Sequence, residues 1–208
     1  EDIPGIVMAQ GLPWNWETFP QFLDALEQRH MDADFAVVVP HIPIRVYIMG
    51  QRAIDREPAT GNDMQQMAHL VKQGLECGGF GFSTTRVLGH RTASGHQPPV
   101  TTASEEELMT IALAMKSLGK SLFMTASEFH TSNGFSSELR MLARVAAASG
   151  QTVTFPLLQY NEAPDRWQEI ADDCAAARAQ GADIYGQVVG RPVGVLYGLE
   201  MTLHPFRG

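Results

Sequence analysis

Helix-like and strand-like segments alternate along most of this chain. Three apolar runs each come directly after a glycine that ends a helix-like stretch, and these glycines, Gly119, Gly150 and Gly181, are 31 residues apart. Glycine is favoured at the end of a helix because it adopts the left-handed conformation without a Cβ penalty. A continuous apolar run is typical of a buried parallel strand. The pattern therefore predicts a repeated β/α layer.

Two further apolar runs extend this alternation into the N-terminal half of the chain. Together the predicted strands occupy residues 34–40, 78–84, 121–125, 152–158 and 183–189. Amphipathic segments predict helices at about 18–28, 60–76, 104–118, 134–148 and 164–180, whereas residues 1–16 are predicted to be loop. Regular alternation of this kind indicates a parallel α/β sheet. An open doubly wound sheet and part of an eight-stranded barrel both remain possible, because the pattern does not give the strand order.

Two capping signals mark the starts of helices, and one long loop connects a predicted strand to the next helix. Ser104 with Glu107 matches the capping box that starts a helix, and Thr60 with Asp63 is a weaker version of the same signal. Residues 85–103 form a polar loop, and loops of this length in compact domains are often functional lids or mobile segments. The loop histidines, His90 and His96, are expected to be solvated.

Composition narrows the class of protein. With 208 residues the chain is expected to form one domain, residues 1–208, and its net charge of −8 provides no basic surface for nucleic acid. No apolar run approaches the length of a membrane span, so no membrane partner is expected. Cys77 and Cys174 have no metal-ligand spacing, and we expect two buried thiols in a reducing, cytoplasmic compartment. Because it begins with Glu1 and ends just after a strand, the sequence is expected to be a piece of a longer polypeptide.

Polar side chains cluster where the predicted strands end. In a barrel these ends converge on one face, which is where such folds place their chemistry. The candidates are His41, Arg45, Ser83, Thr84, Arg86, Thr125, Ser127, Glu128, His130, Gln159, Tyr160, Gln187 and Arg191.

Most of these candidates have a structural alternative. His41 could be a metal ligand or a general base, or else a hydrogen-bonded histidine that fixes its loop. An arginine at a strand end could bind a substrate carboxylate bidentately, and Arg191 is the preferred one, or it could be the partner in a structural ion pair. Glu128 and His130 resemble an acid–base pair by type, but a solvated loop pair is the simpler interpretation.

Several catalytic motifs are missing from the sequence. It contains no HxH, HExxH or GxSxG motif, and no phosphate-binding glycine motif. A catalytic metal needs about three protein ligands. No metal site is therefore predicted within this segment.

Five stretches resemble a known family. They are Glu1-Asp-Ile-Pro-Gly-Ile-Val7, Gly11-Leu-Pro-Trp-Asn-Trp-Glu-Thr-Phe-Pro-Gln-Phe-Leu-Asp-Ala-Leu26, Val39-Pro-His-Ile-Pro-Ile-Arg-Val-Tyr-Ile-Met-Gly50, Gly81-Phe-Ser-Thr-Thr-Arg86 and Gln187-Val-Val-Gly-Arg-Pro-Val-Gly194. The likeness is to the D-aminoacylase, or N-acyl-D-amino-acid deacylase, branch of the metal-dependent amidohydrolases. It implies a TIM-like (β/α)8 barrel, of which this chain would cover about strands three to seven.

The same resemblance implies a function. The parent protein would hydrolyse the amide bond of a small N-acyl-D-amino acid with zinc. Its HxH, cysteine and late aspartate ligands would lie outside this chain, and two further histidines would follow later strands. His41, Ser83 and Thr84 match family positions, and with Arg86 and Arg191 they are the predicted substrate-binding residues. The isolated segment is expected to be inactive and to associate through its strand edges, as a homo-oligomer or otherwise. The alternative is a non-catalytic binding or structural module that has lost the metal site.

Overall fold

In the computed structural model, residues 5–92, 94–127, 129, 135–161, 163–190, 194, 198–199 and 206 are described. Helices and strands alternate through this part of the chain. The helices are α1 Gly5–Gly11, α2 Phe19–Glu27, α3 His41–Met49, α4 Gln51–Ile54, α5 Gly61–Glu76, α6 Glu105–Lys116, α7 Phe135–Ser149 and α8 Arg166–Ala179. The strands are β1 Val38–Pro40, β2 Gly81–Thr85, β3 Leu122–Ala126, β4 Thr152–Pro156 and β5 Ile184–Gln187.

The five strands form one parallel sheet in the order β1-β2-β3-β4-β5. Each strand therefore pairs with its neighbour in sequence, and the α/β prediction is confirmed. A doubly wound sheet would reverse its strand order at a switch point, which this sheet does not do. Sequential parallel strands are instead the arrangement of a barrel wall.

One row of side chains joins the sheet to the helices. Val39, Phe82, Phe123, Val153 and Ile184 lie side by side in register across the strands and are all buried. They form one hydrophobic core with apolar residues of α5, α6, α7 and α8. Right-handed crossovers between sequential parallel strands place all these helices on the same side, so the core lies between the sheet and one helical layer.

The next row of side chains points the other way, because successive residues of a strand alternate between the two faces. This row consists of Pro40, Ser83, Met124, Thr154 and Tyr185. We call the face that carries it the open face. Exposure increases along it towards the sheet edge only at Tyr185, which is 45% exposed, because Thr154 is buried and Ser83 and Met124 are half-buried. In a complete barrel this face would line the interior.

The three evenly spaced glycines act as the sequence pattern predicts. Gly119, Gly150 and Gly181 have φ angles of 94°, 71° and 93°, and each follows the end of a helix. Only glycine adopts this left-handed conformation at little cost. The glycines thus turn the chain from the helical layer back into the sheet.

The beginning of the chain differs from the prediction. Residues 5–11 form helix α1, so the loop predicted for 1–16 is wrong over these residues. Strand β1 is only Val38–Pro40, because the backbone pairs with β2 over those residues alone. Helix α3 then begins at His41 with no intervening loop. Pro43 does not prevent this, since proline is tolerated in the first turn of a helix.

The two predicted capping boxes turn out the opposite way round: the one predicted to be weaker is complete, and the other is not. Thr60 and Asp63 form a complete capping box, with both reciprocal hydrogen bonds. Ser104 accepts from the backbone N–H of Glu107, but the Glu107 carboxylate bonds to other groups. The prediction of a full box at Ser104 is therefore wrong, because Glu107 is used in a buried network.

Two expectations from composition can also be compared with the structure. Cys174 is buried as predicted, and burial raises the pKa of its thiol to about 11. Cys77 is exposed, so the prediction of burial is wrong there, because α5 ends at the surface with Cys77 as its C-cap residue. Among the described helices, none has the length and apolar character needed to cross a membrane.

Candidate functional site

Successive side chains at the end of β2 face opposite sides of the sheet. Phe82 packs in the core, Thr84 bonds to His41 and Arg86 bonds to Glu138 of α7, so these three face the helical layer. Ser83 and Thr85 must then face the open side. The predicted substrate-binding residues of this segment are therefore divided between two environments.

His41 is buried between the sheet and the helices. Its Nδ1 atom lies 2.8 Å from Thr84 Oγ1, and its Nε2 atom lies 3.0 Å from Glu107 Oε1. The imidazole ring also packs against the ring of Phe82 at a centroid distance of 5.2 Å. Because both ring nitrogens are engaged and the residue is 1% exposed, His41 links three elements.

Arg45 completes this buried network from the next turn of α3. Its Nε donates to Glu107 Oε1 at 2.8 Å, and its Nη2 lies 3.4 Å from Oε2. The remaining guanidinium contacts are with backbone carbonyls, at 2.8 Å to Pro99 and 2.9 Å to Glu57. The buried guanidinium of Arg45 therefore hydrogen-bonds to the two loops that contain Pro99 and Glu57.

Burial and pairing set the protonation states of the network. Burial lowers the pKa of His41 below its ordinary value, although the hydrogen bond to Glu107 opposes this shift. Burial alone would raise the pKa of Glu107, but hydrogen bonds from His41 and Arg45 outweigh it and hold that pKa below the ordinary range. The network therefore contains a neutral imidazole, a carboxylate and a guanidinium at neutral pH.

A second arginine forms a similar pair one unit further along the chain. Arg86 donates from Nε and Nη2 to the Glu138 carboxylate, at 3.0 and 2.8 Å, and from Nη1 to the carbonyl of Ala103. Glu107 and Glu138 each lie in the first turn of a helix, where a negative charge is favourable. We call Arg45–Glu107 and Arg86–Glu138 the two braces. Each joins the segment after one strand to the helix that follows the next strand.

The open face carries mostly neutral side chains and one imidazole. Ser83 is half-buried, and Met124 is its in-register neighbour on β3. Beyond Ser83, the Thr85 hydroxyl lies 3.0 Å from His90 Nδ1. This contact draws His90 against the strand end, so it is half-buried, whereas His96 is exposed as expected.

The other strand-end candidates do not join these groups in a single cluster. Thr125 and Ser127 are buried, and their hydroxyl oxygens are 3.3 Å apart. Gln159 and Gln187 are exposed, and Tyr160 packs partly buried against the core. Glu128, His130 and Arg191 lie outside the described residues.

The implied zinc does not fit the residues present. The described part of the chain contains no group of three or more histidine, cysteine, aspartate or glutamate side chains that could hold a metal ion. The ends of β3 and β4, where the resemblance implies histidines, read Thr125-Ala-Ser127 and Pro156-Leu-Leu158. Hydroxyl and apolar side chains there offer none of the imidazole ligands that zinc prefers. No catalytic step through a metal follows from these residues.

The fold and the strand-end site together define the class of structure. Five sequential parallel strands, covered by helices on one face, are part of a TIM-like barrel, as the sequence predicts. The chain is similar in fold to the N-acyl-D-glutamate deacylase of Bordetella bronchiseptica, solved with zinc and a phosphonate inhibitor that mimics the tetrahedral intermediate of the reaction. The TM-score is 0.66 at 19% identity, covering 84% of this chain and 34% of that one. This likeness confirms the barrel fold that the resemblance implies.

The chain spans about a third of the length of that deacylase, with 34% of it covered. No family model matches the chain, and no curated protein matches it. The numbering of the strands as the third to the seventh of a barrel therefore stays a prediction, as do the five substrate-binding residues.

Glu107 is the residue that sequence reasoning missed. Its spacing from Ser104 explains it fully as a helix cap, so nothing local indicates a buried ion pair. Its partners, Arg45 and His41, are 62 and 66 residues away. The one available signal was the presence of His41 and Arg45 four residues apart on a predicted strand end.

Acid should destabilise the protein through His41. The folded-state pKa of His41 is lowered, so below its ordinary value of about 6.5 the unfolded chain binds a proton that the folded chain does not. The free energy of unfolding should therefore be fully retained above about pH 6.5 and fall as the pH decreases towards the folded pKa. Glu107, whose folded pKa is also lowered, adds a further loss of the same sign below about pH 4.3.

Urea unfolding between pH 5 and 8 measures this dependence. In the His41→Asn variant, the free energy of unfolding should depend less on pH above pH 5, even though the variant is less stable overall. His69→Asn, at an exposed position of α5, is the matched control and should leave the profile unchanged. An unchanged slope in His41→Asn would assign the effect to another group.

Proposed function

We propose that this chain forms part of the barrel of a metal-dependent amidohydrolase that hydrolyses the amide bond of N-acyl-D-amino acids. The observation that carries the proposal is the fold likeness to N-acyl-D-glutamate deacylase over 84% of the chain. Amide hydrolysis by such proteins uses a metal-activated water. The metal ligands would come from segments other than the described residues.

In this proposal the chain supplies one wall of the substrate pocket. Ser83, on the open face, and Arg191, beyond β5, are proposed to contact the substrate directly. His41, Thr84 and Arg86 face the helical layer, so their proposed part is to hold the ends of β1 and β2 in place. The wall is built on strands, which fix the positions of its side chains more precisely than loops would.

The proposal includes how the sheet is completed. The outer edge of β5 continues into Val188 and Val189, which are 77% and 47% exposed. Exposed apolar strand edges tend to pair with another chain segment. We propose that these edges meet further strands of the barrel or a second copy of the chain, and that the protein acts in the cytoplasm.

A non-catalytic binding module is the second candidate function. The specific observation in its favour is the lack of imidazole at the ends of β3 and β4. Such a module would keep a pocket for the N-acyl amino acid without cleaving it. The binding module and the enzyme would therefore bind the same ligand, and only the enzyme would hydrolyse it.

Deacylation assays separate the two candidates. The full natural chain should release acetate from N-acetyl-D-glutamate and not from its L enantiomer, and chelation should abolish the reaction until zinc is restored. Residues 1–208 alone should release no acetate with or without zinc, because the described residues offer no metal cluster.

Each outcome has a defined meaning. D-selective binding by the full chain without any turnover would favour the binding module. Absence of both binding and turnover would exclude both candidates. Zinc-dependent turnover by residues 1–208 alone would contradict the assignment of the ligands to other segments.

A further inference from the structure

A hydroxyl–imidazole pair at the end of β2 lies outside the buried network. Thr85 Oγ1 and His90 Nδ1 are 3.0 Å apart, and both residues are half-buried. The pair takes no part in the contacts of His41, Arg45 or Glu107. It is therefore not needed to explain how the sheet and helices are joined.

The position of the pair follows from the alternation of β2. Thr84 and Arg86 bond to groups of the helical layer, so Thr85 between them faces the open side with Ser83. His90 reaches Thr85 from the following loop, at the C-terminal end of the strand. In parallel barrels this end of the open face is where ligands bind.

The pair has an unused hydrogen-bonding group. When the Thr85 hydroxyl donates to Nδ1, the ring proton is carried by Nε2. Within the described part of the chain, His90 Nε2 has no hydrogen-bond partner. It is therefore a donor that can serve an acceptor from outside the protein, and an ionised acceptor gives the strongest bond of this type.

We propose that Ser83, Thr85 and His90 form a subsite for the carboxylate of a small N-acyl amino acid, in which His90 Nε2 donates to a carboxylate oxygen. This inference rests on the proposed function, because it identifies how the same pocket holds its ligand. The Ser83 hydroxyl lies on the same face, two residues before Thr85, and supplies a second donor. Thr85 is a positioning residue that fixes the imidazole ring.

Histidine-detected NMR of the full natural chain tests the subsite directly. Titration with N-acetyl-D-glutamate should shift the ring Cε1–H signal of His90 and leave that of His96 in place. His90→Gln should weaken binding by about tenfold, the usual effect of losing a hydrogen bond to a charged group. Thr85→Val should weaken it less, and His96→Gln, an exposed position on the same loop, should change it less than about twofold.

The failure of this subsite and the failure of the proposed function give different results. If N-acetyl-D-glutamate binds and is hydrolysed but His90→Gln binds it equally tightly, the subsite is wrong and the function stands. Glutarate, a dicarboxylate without an amide, is the independent probe. If glutarate shifts the His90 signal while neither enantiomer of N-acetylglutamate is hydrolysed or selected, the subsite stands and the function fails. No shift of His90 with any of these carboxylates overturns the subsite, provided that the chain melts as a folded protein.

Discussion

Replacing Glu107 with alanine should lower the free energy of unfolding by about 3–5 kcal/mol, the usual cost of removing one partner from a buried ion pair. The carboxylate is 1% exposed and accepts from Arg45 at 2.8 Å and from His41 at 3.0 Å. Without it, a fully buried guanidinium has no counter-charge. The loss arises mainly from that uncompensated charge.

Glu106→Ala is the matched control for this substitution. Glu106 is exposed on the same turn of α6, so both variants change the helix in the same way. The control should stay within about 0.5 kcal/mol of the unmodified protein in urea unfolding. Glu107→Gln should fall between the two, because the amide keeps the shape and loses the charge. Equal stability of the Glu106 and Glu107 variants would show that the buried pair contributes nothing.

Replacing Gly81 with alanine should cost about 3 kcal/mol, at the upper end of what overpacking a core usually costs. A Cβ atom on Gly81 would overlap the carbonyl oxygen of Leu122 and would lie 2.9 Å from its carbonyl carbon. These are backbone atoms of the neighbouring strand, which a side-chain rotation cannot move. Strand β2 would have to shift relative to β3.

Gly89→Ala provides the comparison for Gly81→Ala. The nearest atom to a Cβ on Gly89 is Val87 Cγ1 at 3.9 Å, an ordinary van der Waals contact. Thermal unfolding should therefore show almost no change for Gly89→Ala and a large decrease for Gly81→Ala. Because Ser83 and Thr85 follow Gly81 on β2, the damaging variant should also lose carboxylate binding. A Gly81→Ala protein as stable as the Gly89 variant would contradict the close approach of the two strands.

The repeated β/α layer could be predicted because its signals are local. A helix end at Gly150 and the apolar run after it are contiguous in sequence, and together they specify a turn and a strand. The length of a strand depends on its partner instead. Residues 35–37 are apolar enough to read as strand, but only 38–40 are in register with β2, and the Val37 carbonyl accepts one backbone hydrogen bond from Phe80.

The sequence predicted where along the chain the candidate residues lie, but it did not predict which groups their side chains contact. The strand ends do carry His41, Ser83, Thr84 and Arg86, as the pattern indicates. Which side of the sheet each one faces depends on a register that one residue can reverse. The sequence could not show that Thr84 faces the helices and Ser83 the open side, nor that Thr85 would position His90.

The two braces make the first three β/α units interdependent. Arg45 is held by a carboxylate of α6, and Arg86 by a carboxylate of α7, so each unit is fastened to the one after it. An array with contacts only between neighbours can open one repeat at a time, starting from an end. Here the segment after β1 cannot separate without breaking a bond to α6. The segment after β2 is held to α7 in the same way. Local opening from the N-terminal side would therefore leave Glu107 without its buried partner Arg45, and this raises the free energy needed to open the first unit.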